Sequence, residues 1–216
     1  MDQTAYFEQM RQRRRTEILS CARDIILRDG PVSLTMQKLA RTLDISNVTL
    51  YKYFKNINDI FYTLAQNAVA PCGQWFRPSQ DSEEPLKRFL QNYQFLCEEL
   101  LEHREDLSLL VILYMYNRQQ HLPPEEQPAA AEIKTFEQTQ RRLLDAADSR
   151  GLLAPGVVPE DALSFVQTVV FSFLEHIALL DREEYDSRRE QISRQILQLI
   201  RMFETYLSKN DAFSRL

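Results

Sequence analysis

Two hydroxyl residues, Thr35 and Ser46, each stand where a very short helix can begin, and the run around them narrows the choice of fold more than any other part of the chain. Thr35 is a good N-cap, and the residues after it place Leu39, Ala40 and Leu43 on one apolar stripe. Asp44-Ile45-Ser46 reads as a turn. Ser46 then caps a second short helix, from Asn47 to about Tyr53. The spacing predicts that Leu50 and Phe54 are buried. Asn47, Val48, Thr49, Tyr51, Lys52 and Tyr53 should face outward or sit at the rim. A further helix begins near Asn58. Two short helices joined by a tight turn, the second carrying exposed amide, hydroxyl, aromatic and basic groups, suit the major groove of a DNA duplex.

The rest of the chain reads as long helices, and the expected fold class is all-α with about nine of them. Only 4 Gly in 216 residues, few strand-like alternations and long 3.6-residue patterns carry that expectation. The first helix should run from about Gln9 to Asp29, with Ile18, Ala22, Ile25 and Ile26 inward and Gly30 closing it in a left-handed cap. The helix from Asn58 should reach the region of Trp75, with a loop over Arg77–Ser82. Next come helices over about Glu83–His103 and Glu105–Gln120, the latter apolar nearly all round from Leu107 to Tyr116, which requires enclosure on several sides. After a break at His121–Glu126, a helix runs to about Arg150. Pro159-Glu160-Asp161 opens another, and the last spans about Tyr185–Leu207. The expected domains are residues 1–56, a three-helix head, and 57–216, a helical body.

Net charge is −5, which looks wrong for a DNA binder until it is divided along the chain. Residues 1–70 hold ten Lys/Arg against seven Asp/Glu, a net of +3, and the remainder holds 16 against 24, a net of −8. Arg11, Arg13, Arg14 and Arg15 cluster at the positive end, where they would attract phosphate irrespective of sequence. Three Cys with no paired spacing fit a reducing cytosol; Cys21 and Cys97 read as small core residues and Cys72 as more exposed. The N-terminus is polar and basic, unlike a signal peptide, and the longest apolar run is too short to cross a bilayer. The reading is therefore a cytoplasmic protein without a membrane partner.

The residues Ile18-Leu19, Cys21-Ala22, Gly30, Thr35, Leu39-Ala40, Ile45-Ser46, Thr49-Leu50-Tyr51 and Tyr53-Phe54 together resemble the TetR family of bacterial transcriptional regulators. The Thr-Leu-Tyr-x-Tyr-Phe run after Ile-Ser is the most specific part. The chain departs from the family pattern at Asp44, where Gly is usual, at Val48, where a small residue or Pro is common, and at Ile57, where many members have a phosphate-contacting Lys. Lys55 stands two residues earlier. The resemblance implies a dimeric, sequence-specific DNA binder, usually a repressor, whose body takes a small-molecule effector that changes the separation of two DNA-reading heads.

The residues themselves suggest how the parts are shared. Asn47 could bond an adenine edge, Val48 could pack on a thymine methyl, and Gln37 could reach base or phosphate. Thr35, Thr49, Tyr51, Tyr53 and Lys55 are expected to grip phosphates, and Lys52 could do either. Two-fold symmetry would make the operator a near-palindrome. The eighth helix has more apolar surface than one neighbour can cover. A homodimer through Phe165, Val169, Phe173 and Ile177, with Ile192, Ile196, Leu199 and Phe203 of the ninth, would cover it. Polar groups set within the apolar lattice, Tyr93, Tyr114, Asn117, Gln167, Ser172 and His176, are the candidate effector contacts, with His103, Tyr116 and Thr168 nearby in pattern.

Enzyme signatures are missing from the sequence: there is no Gly-rich phosphate loop, no Gly-x-Ser-x-Gly and no His-Glu-x-x-His. His103, His121 and His176 are far apart, so neither a metal, a cofactor nor catalytic residues are expected. The competing class is a helical protein-interaction module with a degenerate DNA-binding head. A third is a regulator whose body only dimerises.

Overall fold

The computed structural model describes residues 3–73, 84–120 and 130–209. The expected loop at Arg77–Ser82, the break at His121–Glu126 and Trp75 lie outside the described residues, as does the side chain of Cys72. Among the described residues the fold is all-α. The helices are α1 (Gln3–Asp29), α2 (Met36–Thr42), α3 (Asn47–Tyr51), α4 (Ile57–Gly73), α5 (Pro85–Glu102), α6 (Arg104–Gln119), α7 (Ala130–Ser149), α8 (Pro159–Ala178) and α9 (Arg182–Leu207). They fall into two compact units. The first holds residues 1–69 and 108–130, the second 70–107 and 131–216.

In the first unit, Ile18, Ala22, Ile25 and Ile26 of α1 meet Leu39 and Ala40 of α2, Leu50 of α3, Phe54, and Ile60, Phe61 and Leu64 of α4. Leu109 and Leu113 of α6 complete this core, and the Phe61 and Tyr116 rings meet edge to face at 5.4 Å. Elsewhere on α6, Tyr114 and Met115 are exposed, so the helix is not enclosed on every side within one chain. Helix α1 begins six residues before the expected Gln9: the added stretch holds Gln3, Ala5 and Glu8, good helix formers, and no Gly or Pro interrupts it. The basic cluster lies inside α1, as the expected bounds also had it.

Gly30 ends α1, but not in the left-handed cap that its position suggested. Its φ of 81° comes with ψ of 161°, a backbone region essentially reserved for glycine, and a short 3-10 turn over Pro31–Ser33 follows. The left-handed residue is Asp44, with φ of 53°. There α2 closes in a Schellman pattern. The Ile45 N–H donates to the Ala40 carbonyl at 3.0 Å and the Asp44 N–H to the Arg41 carbonyl at 3.2 Å. Asp tolerates this conformation, though at a cost that Gly would not incur.

The second unit packs α5 against α8 and α9. Phe89, Leu96 and Leu100 of α5, Val166, Val170 and Leu174 of α8, and Ile192, Ile196 and Phe203 of α9 are all buried. Cys97 lies among them, and burial pushes its thiol up to about 12. Polar ties fix the ends. The buried Tyr185 hydroxyl donates to the Leu101 carbonyl at 2.9 Å, Arg104 donates to the Leu180 carbonyl, and the Arg104 guanidinium lies 5.0 Å from the Tyr185 ring centre. Helix α9 starts earlier than Tyr185 because the Asp181 side chain accepts from the Glu184 N–H at 2.8 Å, an N-cap with acids in the first turn. No helix among the described residues is long and apolar enough to cross a membrane.

Candidate nucleic-acid interface

Helix α3 has only five residues, too few to be stable alone, so its placement depends on what surrounds it. Ser46 caps it: its Oγ accepts from the Thr49 N–H at 3.0 Å and meets the Thr49 hydroxyl at 2.9 Å. Thr35 caps α2 in the same way, accepting from the Lys38 N–H at 3.0 Å. Leu50 is fully buried and anchors α3 to the core. At its far end the Arg15 guanidinium lies 4.2 Å from the centre of the Phe54 ring. Arg15 Nη1 also donates to the Tyr53 carbonyl at 2.8 Å, and Nη2 to Thr63 Oγ1 at 3.4 Å. One arginine therefore joins α1, the end of the α3 segment and α4.

With α3 held this way, Asn47, Val48, Tyr51 and Lys52 point outward, and Val48 is 70% exposed. Gln37 and Thr35 are exposed at the start of α2, Lys55 is exposed beyond α3, and Thr49 and Tyr53 are half-buried at the rim. The amide and branched apolar groups at the start of α3 can meet base edges, and the hydroxyl and cationic groups around them can meet phosphates. Ile57 is half-buried and packs on the core from the first turn of α4. That turn is capped by Asn56, which accepts from the Asp59 N–H at 2.9 Å, while Asp59 accepts from the Lys55 N–H at 3.0 Å.

The four clustered arginines of α1, Arg11, Arg13, Arg14 and Arg15, divide by role, which their adjacency in sequence concealed. Arg15 turns inward as described. Arg14 and Arg13 pair with Glu17 at 2.7 and 3.5 Å, and these contacts hold the Glu17 carboxyl below the ordinary carboxylate range, the Arg14 hydrogen bond most of all. Arg11 remains exposed. Arg11, Arg13 and Arg14, with Glu17, Phe7 and Met10 of the same helix, line an open groove of about 880 Å³ together with Lys52 and Tyr53, four cations against one acid. A positive groove thus runs beside the end of α3. The signal that could have singled out Arg15 is its register: it lies three residues before Ile18, on the same side of α1 as the core stripe.

The candidate effector contacts are not all brought together. Tyr93 is fully buried in α5, and Gln167 of α8 lies beside it, half-buried. Ser172 and His176 of α8 are exposed. Tyr114, exposed, and Asn117, buried, belong to the first unit. Two buried polar residues near Tyr93 escaped the sequence reading, Asn92 and Gln140, with Asn92 Nδ2 donating to Gln140 Oε1 at 3.5 Å. Both sit on apolar stripes, Asn92 three residues after Phe89 and Gln140 four after Phe136, so helical register carried the signal.

Of the expected dimer contacts, Phe165 is 45% exposed, and Val169, Phe173 and Leu199 are half-buried. Ile177, Ile192, Ile196 and Phe203 are buried inside their own chain. Phe165 meets Tyr206 edge to face at 5.5 Å, and Met202 and Tyr206 extend the apolar surface along α9.

Residues 18–63 match the family model described as bacterial regulatory proteins, tetR family. Several solved structures share the fold over nearly the whole chain. NalD, the secondary repressor of the MexAB-OprM multidrug efflux pump in Pseudomonas aeruginosa, is 20% identical at a TM-score of 0.69, covering 92% of this chain and 98% of its own. SmeT, the repressor of the Stenotrophomonas maltophilia multidrug efflux pump SmeDEF, is 20% identical at a TM-score of 0.69, covering 92% of each chain. The ketosteroid transcriptional regulator KstR2 of Mycobacterium tuberculosis is 16% identical at a TM-score of 0.61, covering 91% of this chain and 96% of its own. No curated protein matches the chain in sequence.

Proposed function

We propose, for a chain that belongs through its N-terminal domain to the tetR family of bacterial regulatory proteins, that it is a cytoplasmic homodimeric repressor released from a near-palindromic operator by a small molecule. The observation that carries this reading is α3 itself. It is capped by Ser46, anchored by Leu50 and tied at its end by Arg15, and it leaves Asn47, Val48, Tyr51 and Lys52 free to meet a duplex. The groove lined by Arg11, Arg13, Arg14 and Lys52 supports it with a phosphate-attracting surface beside that helix.

In this reading residues 1–56 bind DNA and 57–216 bind effector and dimerise. The partly open stripe of Phe165, Val169 and Phe173 on α8, with Leu199, Met202 and Tyr206 on α9, supports pairing with a second copy. Two copies place two α3 helices about one DNA turn apart, hence the near-palindrome. An effector needs only to bind more tightly to the dimer conformation that does not fit the operator. The repressors of efflux pumps and the triclosan complex of SmeT among structures of the same fold support a small-molecule signal.

The test is selection of bound sequences from a random duplex library with the purified full chain. Enrichment of one near-palindrome, with binding that weakens steeply as salt rises, is expected. A folded, dimeric protein that enriches no sequence would instead favour the protein-interaction module with a degenerate head.

A further inference from the structure

Three polar groups in the second unit lack what buried polar groups need. The Tyr93 hydroxyl, Gln140 Nε2 and Gln167 Nε2 are each closed off from solvent without a hydrogen-bond partner of ordinary geometry. The Gln167 amide lies close to the Tyr93 phenol, though neither completes a good bond to the other. Gln140 has one long contact, from Asn92, at one end of its amide and nothing at the other. Buried polar atoms in folded proteins nearly always find partners. These three have too little accessible surface for a bridging water to touch them.

The surroundings define what could satisfy them. The groups come from three helices, α5, α7 and α8, and Phe89 and Phe136 meet the Tyr93 ring edge to face at 5.1 and 5.2 Å. Burial, and then the nearby acid Glu137, push the Tyr93 phenol above its ordinary range, so it stays a neutral hydroxyl. Two amide N–H groups and a hydroxyl call for an acceptor. Aromatic walls call for an apolar body, and an acidic neighbour repels a carboxylate or phosphate.

We propose that Tyr93, Gln140 and Gln167 anchor a ligand site that is closed in the free chain, and that its ligand is an uncharged, largely apolar molecule carrying a hydrogen-bond acceptor such as a ketone carbonyl. The proposal rests on the effector reading above and names the chemical class of that effector. The ligand supplies partners that the closed state lacks, and so favours a state in which α5 has parted from α7 and α8.

The experiment is thermal unfolding of the full-length protein with three matched probes: benzophenone, diphenylmethane, which lacks the carbonyl, and 4-benzoylbenzoate, which adds a charge. The same series is run on Gln140→Leu and Gln167→Leu. Benzophenone should raise Tm by about 2–4 °C or more, diphenylmethane by less, and 4-benzoylbenzoate not at all. Gln167→Leu should raise the ligand-free Tm, because it removes an unsatisfied group, whereas Gln140→Leu also takes the acceptor from Asn92 and should not raise it; each should erase the advantage of ketone over hydrocarbon. The site is overturned if benzophenone gives no shift, if diphenylmethane matches it, if 4-benzoylbenzoate does as well, or if Gln167→Leu melts lower than the parent. Operator binding is measured in parallel to separate this proposal from the one beneath it. Ketone binding without operator release would keep the site and remove its effector role. Release by a compound that still works in both Leu variants would keep the effector role and remove this site.

Discussion

The first unit holds its functional helix with local devices, whereas the second ties its helix ends with polar contacts but leaves three polar atoms in its interior enclosed without partners. Around α3 every short helix has a named cap or tie: Thr35, Ser46, Asn56, the Schellman closure at Asp44 and the Arg15 contacts to Tyr53 and Phe54. In the second unit long helices enclose Tyr93, Gln140 and Gln167 and leave the Tyr93 hydroxyl and the two amide nitrogens without partners. The contrast teaches where rigidity is needed. Reading base edges demands fixed geometry. Admitting a ligand demands groups that something else can satisfy.

The largest test of that contrast removes Phe54, which is both core and the ring under Arg15. Phe54→Ala should cost about 3–5 kcal/mol by urea unfolding and abolish duplex binding. Sedimentation should still report a dimer, since the proposed contacts lie on α8 and α9. Loss of the dimer would break the division of labour. A smaller effect is expected at Gly30. No atom lies within 4 Å of an added Cβ there, but φ of 81° with ψ of 161° excludes other residues. Gly30→Ala should lower stability by about 1–3 kcal/mol, and an unchanged urea midpoint would show that the turn can relax.

Removing a cap sharpens the comparison further. Ser46→Ala should cost about 1 kcal/mol and weaken operator binding by more than its effect on global unfolding, because α3 is too short to hold itself. Equal effects on both would mean that Leu50 and Arg15 position α3 without help from the cap. The smallest effect is electrostatic. The Asp29 carboxyl, which bonds Arg28 and then Lys38 of α2, is held well below the usual carboxylate range. A depressed carboxyl stabilises the fold above its unfolded pKa and loses that contribution as pH falls, here below about 4. Lys38→Met should flatten this acid dependence slightly in urea titrations at pH 7 and pH 3, and more at low salt than high.

These differences also explain what the sequence disclosed. Thr35 and Ser46, the burial of Leu50 and Phe54, and the exposed groups of α3 follow from spacing and cap chemistry, which act over three or four residues. The all-α class follows from periodicity, and Asp44 adopts the left-handed turn its position requires. Arg15 was hidden because its partners Tyr53 and Thr63 are 38 and 48 residues away. Asn92 and Gln140 were hidden likewise, 48 residues apart and each plausible as surface. The early start of α9 went unread although its signal is local: Asp181 stands just ahead of an acidic first turn, while the expected start was Tyr185.

Base reading by α3 through Asn47 is measured by affinity. The parent and Asn47→Ala would be titrated against the selected near-palindrome and each of its single-base variants at fixed salt. Asn47→Ala should lose about 1–3 kcal/mol at one base position of each half-site, so that substitution of that base no longer matters to the variant. An equal loss on every sequence would contradict it and reduce Asn47 to a backbone contact.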